Sequence, residues 1–455
     1  MSKHLRIPPG ELLGHPRGLF LLFGTEMWER FSYYGMRALL VLSMVAATQD
    51  ANPGFGWSNE AALKLYAWYT SLVFFTPLVG GWIADRYLGQ RNAVILGGVI
   101  MAAGQFVLGF SFGKDLPLFY LGLLMLILGC GLFKANIATM VGQLYAEGDV
   151  RRDSAFTIYY MGINLGACIA PFICSTLGED PQYGWRFGYY AAGGGMLLSV
   201  LMQLFLARRF LGDVGHRSMV QHHRHTDANS QAALSGEERD RLKVIFMLFI
   251  FVVLFWAAFE QAGGLLNLFA ADKTDRLLGG FSIPSGWFQS LGPFFTITLA
   301  PLFSLLWVRV ARGSAGGQGI PTPMKMMLGL LLTALGFLCM VAAVFDHSAH
   351  GKASMLWLVL AYMFNAMGEL CISPVGLSLV SKLAPLRMAS LMMGVWYLTN
   401  FVANLLAGYI GAFAAQAGEL AIFGGLVAAL CAFALALYAL SGTLIDWMHG
   451  AESLK

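Results

Sequence analysis

Charge is scarce in this chain: Asp, Glu, Lys and Arg together make up 12% of its 455 residues, about half the share of an ordinary soluble domain. Hydrophobic residues make up 57%, more than one water-soluble core can hide, so lipid must solvate most of the surface. A formal charge of +4 is too small to point to a nucleic-acid partner. The six cysteines (Cys130, Cys168, Cys174, Cys339, Cys371, Cys431) all fall in apolar stretches, which argues against a disulfide framework and for small buried hydrophobes. There is no P-loop to drive an ATP-powered pump and no H-E-x-x-H zinc motif. Neither a metal nor a cofactor is expected. Gly109-Phe110-Ser111-Phe112-Gly113 matches a nucleophile elbow, but it ends an apolar run with no nearby base, so coincidence is the better account. All nine histidines are expected at termini or in loops, which leaves carboxylates as the groups for any proton relay inside the membrane. A cleavable signal is not expected, because the first apolar run soon acquires Glu26, Glu29 and Arg30.

What is present is a series of apolar runs of about 20 residues, the length that spans a bilayer. Twelve can be placed, at roughly 17–47, 62–84, 92–112, 116–145, 154–176, 185–207, 243–271, 286–310, 323–346, 353–382, 387–416 and 419–446. With both termini in the cytoplasm, the outer segments carry six basic residues (Lys64, Lys114, Arg186, Lys273, Arg276, Lys352) and the inner ones twenty, as the positive-inside bias requires. The polar stretch from Ala207 to Arg241 divides the spans six and six and reads as a cytoplasmic linker, helical around Glu237–Lys243. The expected organisation is therefore an all-α integral membrane protein. A six-helix bundle over 1–206, a linker over 207–242 and a second bundle over 243–455 would surround a central cavity, as in the major facilitator architecture with its inverted three-helix units. A faint internal echo agrees: Pro77 precedes the expected loop at Asp85-Arg86 by eight residues, and Pro301 precedes Arg309 by the same distance.

Seven ionisable residues fall deep inside spans: Glu26, Glu29, Arg30 and Arg37 in the first, Lys134 in the fourth, Glu260 in the seventh and Glu369 in the tenth. A charge at a helix centre costs about 2.5–3.5 kcal/mol on insertion scales. Spans 1, 4, 7 and 10 open the four three-helix units, which would turn them toward a shared cavity. Structural ion clusters are the plainer reading. Four acids against three bases, however, leave one carboxylate over, and a protonation switch needs such a group.

The first span reads Glu26-Met27-Trp28-Glu29-Arg30-Phe31-Ser32-Tyr33-Tyr34-Gly35. This resembles the signature of the proton-dependent oligopeptide transporter family, a branch of the major facilitator superfamily. Further likeness lies in Gly80-Gly81 through Asp85-Arg86 to Gly89, in Phe133-Lys134 with Asn136, and in Phe156 through Asn164 to Gly166. It continues in Phe255-Trp256 with Glu260-Gln261, in Gly368-Glu369 through Ser373-Pro374, and in Met393-Gly394 with Trp396. The resemblance implies a proton-coupled symporter of di- and tripeptides. Glu26, Glu29, Arg30 and Glu260 would handle protons. Arg37 and Lys134 would receive the peptide carboxylate, and Glu369 and Asn164 its amino end. Arg37 with Glu260, and Lys134 with Glu369, would form gating pairs. Tyr33, Tyr34, Tyr69, Tyr160, Trp256 and Trp396 would line side-chain pockets, packing being the alternative for each.

The chain also departs from that pattern. The linker has no room for the two extra helices of many bacterial members, so the core twelve are expected to suffice. Gly292 stands before Pro293 where the family commonly has Asn, and the second span lacks the histidine of animal members. Two other functions compete: transport of another small anion or zwitterion on the same fold, and a peptide-binding sensor or intramembrane enzyme. Protons, small peptides and lipid are the expected partners of a chain expected to act as a monomer in the bacterial inner membrane.

Overall fold

In a computed structural model of the chain, residues 10–112, 115–146, 149, 151–216, 235–313, 320–385 and 388–450 are described. Thirteen α-helices follow one another: α1 Arg17–Val45, α2 Asn59–Ile83, α3 Gln90–Ser111, α4 Leu116–Gln143, α5 Arg151–Glu179, α6 Trp185–Phe210, α7 Gly236–Phe259, α8 Leu265–Asp272, α9 Leu291–Gly313, α10 Thr322–His350, α11 Met355–Leu383, α12 Ala389–Ala417 and α13 Glu419–Trp447. Among the described residues strands are limited to two-residue pairings, one of them a hairpin of β1 Glu11–Leu12 with β2 His15–Pro16. Eleven spans among the described residues are long and apolar enough to cross a membrane. The twelfth is α1, which at 29 residues is long enough but carries Glu26, Glu29, Arg30 and Arg37.

Several local expectations are corrected. The seventh span is not one helix. Before it, Ser235 and Glu238 close a capping box that starts α7, so the helical part of the linker is the beginning of the span. The helix then tightens to a 3₁₀ turn over Glu260–Gly263 and resumes as α8 after Gly264, whose backbone (φ −114°, ψ −96°) is not helical. Two successive glycines supply no side chain to hold α geometry there, and Glu260 sits at the break. The eighth span likewise starts as a 3₁₀ turn, Ser285–Ser290, before α9. Asp85 and Arg86 lie in a π-helical turn, Ala84–Leu88, that ends at Gly89 with φ +77°, not in an open loop. The histidines also differ from expectation. His347 and His350 belong to the last turn of α10, because that helix runs on to Gly351. His15 is buried in β2 against the Tyr145 hydroxyl, 2.8 Å from Nδ1.

Packing divides the chain into two compact units, Met1–Ser58 with Leu72–Thr226, and Asn59–Ser71 with Asp227–Lys455. In the first, α1 packs between α5 and α6. A Cβ on Gly166 of α5 would stand 2.1 Å from the Met27 carbonyl oxygen, and one on Gly195 of α6 would stand 2.4 Å from the Phe31 ring. Small residues permit this approach, the usual basis of helix association in lipid. Buried polar side chains fix the register of α1: Ser199 donates to the Thr25 carbonyl (2.8 Å), Gln203 to the Thr25 hydroxyl (2.9 Å), and Gln105 to Ser32. In the second unit the first half of α2 packs on α12, where a Cβ on Gly408 would lie 2.2 Å from that of Ala67. Gln261 ties the break after α7 to the same helix, donating to the carbonyls of Ala257 (3.1 Å) and Ala407 (2.9 Å).

Candidate functional site

At 3.6 residues per turn, positions 26, 29, 30, 33, 34 and 37 share one side of α1. The expected residues of this helix therefore form a single stripe: Glu26, Glu29, Arg30, Tyr33, Tyr34, Arg37. All are buried except Tyr34, which is half-buried. Arg30 holds both carboxylates, with Nε 3.1 Å from Glu26 Oε1 and 2.5 Å from Glu29 Oε2. Among the described residues Glu26 Oε2 and Arg30 Nη2 are buried without a hydrogen-bond partner. The cations also lie against rings on the same helix, Arg30 Cζ 5.3 Å from the Tyr33 centroid and Arg37 Cζ 5.6 Å from that of Tyr34. Such contacts are worth about 0.5–2 kcal/mol, more where water is excluded.

Lys134 joins this group from α4. Its helix is seated against α2 one turn earlier, where a Cβ on Gly80 would stand 2.0 Å from the Gly131 carbonyl oxygen. The ammonium lies 3.7 Å from the Phe74 centroid and within electrostatic reach of Arg30, Glu29 and Glu26. From α5, Tyr159 stands beside the Glu26 carboxylate, while its neighbour Tyr160 is exposed and Asn164 donates its amide to the Tyr160 carbonyl (3.0 Å). Tyr159 and Phe74 are additions to the sequence reading. Both were masked by the abundance of aromatics, and Tyr159 by an adjacent tyrosine that carried the resemblance.

The remaining expected residues belong to the second unit. Tyr69 is buried in its α2 segment. Trp256 sits among Phe255 (5.3 Å) and Phe259 (5.1 Å), and Trp396 lies edge-on to Phe249 (5.8 Å). Glu260 is buried at the break after α7. On α11, Gly368 packs on α10, where its Cβ would stand 2.4 Å from Thr333 Oγ1. The next residue, about 100° further round the helix, turns toward α9, and there Thr296 donates its hydroxyl to Glu369 Oε2 at 3.1 Å. Thr296 is another residue that the sequence reading missed. Its signal was the spacing of one turn from Gly292. In the first unit, then, Glu26, Glu29, Arg30 and Lys134 come together while Arg37 lies further along α1 against Tyr34, and in the second Glu369 accepts a hydrogen bond from α9.

These buried and half-buried charges on α1, α4 and α11 and at the break after α7 can be set beside known proteins. The sequence profile of the POT family matches residues 91–221 and 209–424. The peptide transporter YePEPT of Yersinia enterocolitica is 36% identical, with 90% of each chain covered. A di-/tripeptide transporter of Lactococcus lactis is 33% identical over 85% of this chain and 87% of its own. Among solved structures, a mutant peptide transporter POT in complex with alafosfalin superposes with a TM-score of 0.87 at 32% identity, covering 97% of this chain and 98% of the other. Both units are thus matched, by relatives aligned along nearly their whole length, and the chain is a member of the POT family, with the major facilitator fold.

Proposed function

We propose that the chain is a proton-coupled symporter that imports di- and tripeptides across the bacterial inner membrane, with both termini in the cytoplasm and the monomer as the working unit. The observation that carries the reading is the α1 stripe: two carboxylates share one guanidinium, with Lys134 close by and one carboxylate oxygen buried without a partner. A buried unsatisfied polar group costs about 1–3 kcal/mol. A proton taken up on Glu26 gives that carboxyl a hydrogen to donate and leaves Arg30 to Glu29. The relatives named above as peptide and di-/tripeptide transporters support the choice of substrate.

Glu26, Glu29, Arg30 and Glu260 are assigned to proton coupling. Arg37 and Lys134 receive the peptide carboxylate, and Asn164 and Glu369 the amino end. A dipeptide separates its terminal charges by about 6–7 Å, given the reach of the chain, so a site clamping both ends tolerates many side chains. Tyr33, Tyr34, Tyr69, Tyr160, Trp256 and Trp396 surround those side chains. Bundles over 1–206 and 243–455, joined by 207–242, would alternate access, with Arg37–Glu260 and Lys134–Glu369 as bridges that form and break. A permanent bridge would halt the cycle. Purified protein in liposomes, given a labelled dipeptide and an inward proton gradient, should concentrate it, and dissipating the gradient should end accumulation. Gradient-independent equilibration alone would remove the symport reading.

A further inference from the structure

Thr296 spends its hydroxyl differently from every comparable threonine. Among the described residues, four other threonines are buried inside helices, and each returns its hydroxyl to a carbonyl of its own helix: Thr25 to Leu21, Thr70 to Tyr66, Thr333 to Gly329 and Thr399 to Trp396. Even Thr298, two residues further along α9, bonds back to Phe294. That local bond is the default for a hydroxyl in an apolar medium, since it needs no partner from elsewhere. Thr296 is 1% exposed and gives its hydrogen instead to Glu369 Oε2 on α11, at 3.1 Å.

The two helices face each other at a second level. Gly292 lies one turn before Thr296, and Tyr362 lies two turns before Glu369, so each pair shares a helix face. A Cβ on Gly292 would meet only Tyr362 Cδ1, at 3.8 Å. Tyr362 is itself anchored, its hydroxyl 3.3 Å from the Ala262 carbonyl beside the break after α7. The Glu369 carboxylate is thus held from α9 by one oxygen, next to a place kept clear by a glycine.

We propose that Thr296 is a positioning residue for substrate selection: by orienting the Glu369 carboxylate it sets the preference for peptides with a free, cationic amino end. The proposal rests on the reading of Glu369 as the receiver of that amine. A carboxylate has about four acceptor directions, and the bond from Thr296 takes one of them and ties the plane of the group to α9. Removing that bond frees the carboxylate from α9, and the loss falls on affinity for the amine.

The test compares one dipeptide with its N-acetyl form as competitors of labelled dipeptide in proteoliposomes, for wild type, Thr296→Val, Thr296→Ser and Glu369→Gln. Thr296→Val keeps the shape and removes the hydroxyl. Thr296→Ala serves in its place if the branched methyl disturbs folding, as judged by thermal unfolding. Thr296→Val should weaken the free-amine dipeptide about tenfold, in line with loss of a hydrogen bond to a charged group. It should leave the N-acetyl form and the saturating rate near wild type, and Thr296→Ser should restore the preference. If Glu369→Gln loses the preference while Thr296→Val keeps it, Thr296 does not position the carboxylate. Equal weakening of both competitors by Thr296→Val would make its role packing alone. If neither variant alters the preference, Glu369 is not the amine receiver, and the positioning role falls with that reading.

Discussion

Glu29 Oε2 lies 2.5 Å from Nε of the adjacent Arg30, a contact between neighbours on one helix that only a shared, buried face can make useful. Glu26 competes for the same nitrogen from one turn away, at 3.1 Å. One base thus serves two acids. Glu29→Gln removes a titratable site while preserving shape, so gradient-driven accumulation should be abolished and counterflow exchange of peptide partly retained. The same measurement on Glu26→Gln ranks the two. A Glu29→Gln protein that still concentrates dipeptide uphill would move the coupling role to Glu26.

Arg37 and Glu260 are each buried, on α1 and at the break after α7. If they alternate between bridged and separated, charge reversal at either position should impair transport at least tenfold. The double swap Arg37→Glu with Glu260→Arg should recover part of it. A double swap no better than the single changes would assign the pair to substrate or proton handling, with uptake rate as the measurement.

The helices and the charged stripe were legible in the sequence because both depend on local chemistry. Twenty apolar residues in a row leave few options, and positions 26, 29, 30, 33, 34 and 37 repeat at a helical spacing whatever surrounds them. The break after Glu260 was not legible from apolarity, since the apolar run resumes at Leu265 and the whole stretch reads as one span. Only the approach of Gln261 to Ala407 and the non-helical backbone of Gly264 reveal it. Thr296 and Tyr159 escaped for a different reason: their roles come from contact between helices distant in sequence, which no spacing along one helix encodes.

Glycine positions separate fold from site. Gly166→Val places new carbons against the Met27 carbonyl, where even a Cβ would stand 2.1 Å away. Overpacking of this kind costs about 1–3 kcal/mol and sometimes more. Thermal unfolding in detergent should shift down by several degrees. Gly292→Ala meets only Tyr362 Cδ1 at 3.8 Å, so its unfolding temperature should match wild type, and any effect should appear as altered discrimination among dipeptides of different N-terminal side chain. A strongly destabilised Gly292→Ala would show that this place is not open.

The N-terminal hairpin offers a pH test remote from the membrane core. Arg151 reaches Glu11 Oε1 of β1 at 2.8 Å and Asp149 at 2.9 Å, and hydrogen bonds from Arg151 hold the Asp149 carboxyl below its ordinary value of 3.8. A depressed carboxyl contributes above its unfolded value and loses that contribution as pH falls through the lowered one. Hairpin protection in hydrogen exchange should therefore be flat from about pH 7 to 5 and fall only below about 4. Arg151→Ala should lower it above about pH 5 and lose most of that difference at the acid end.

Lys134 provides the sharpest test of what is carried. Its ammonium rests over Phe74 at 3.7 Å, near the Arg30 cluster, and an ammonium over a ring keeps hydrogen-bond donors for a carboxylate. Removing one partner of a buried charge pair typically costs about 3–5 kcal/mol, so losing the lysine should be felt mainly by substrates that bring the opposite charge. Lys134→Ala should weaken a dipeptide with a free C-terminus at least a hundredfold and its C-terminal amide by less than tenfold. Phe74→Leu keeps the ammonium but removes the ring face. It should change affinity for the free acid by about two- to thirtyfold, as cation–π energies of about 0.5–2 kcal/mol imply. Competition binding of the acid and the amide to purified protein reads both. Equal losses for acid and amide in Lys134→Ala would reduce Lys134 to a structural charge and take away the main support for a peptide carboxylate at this site.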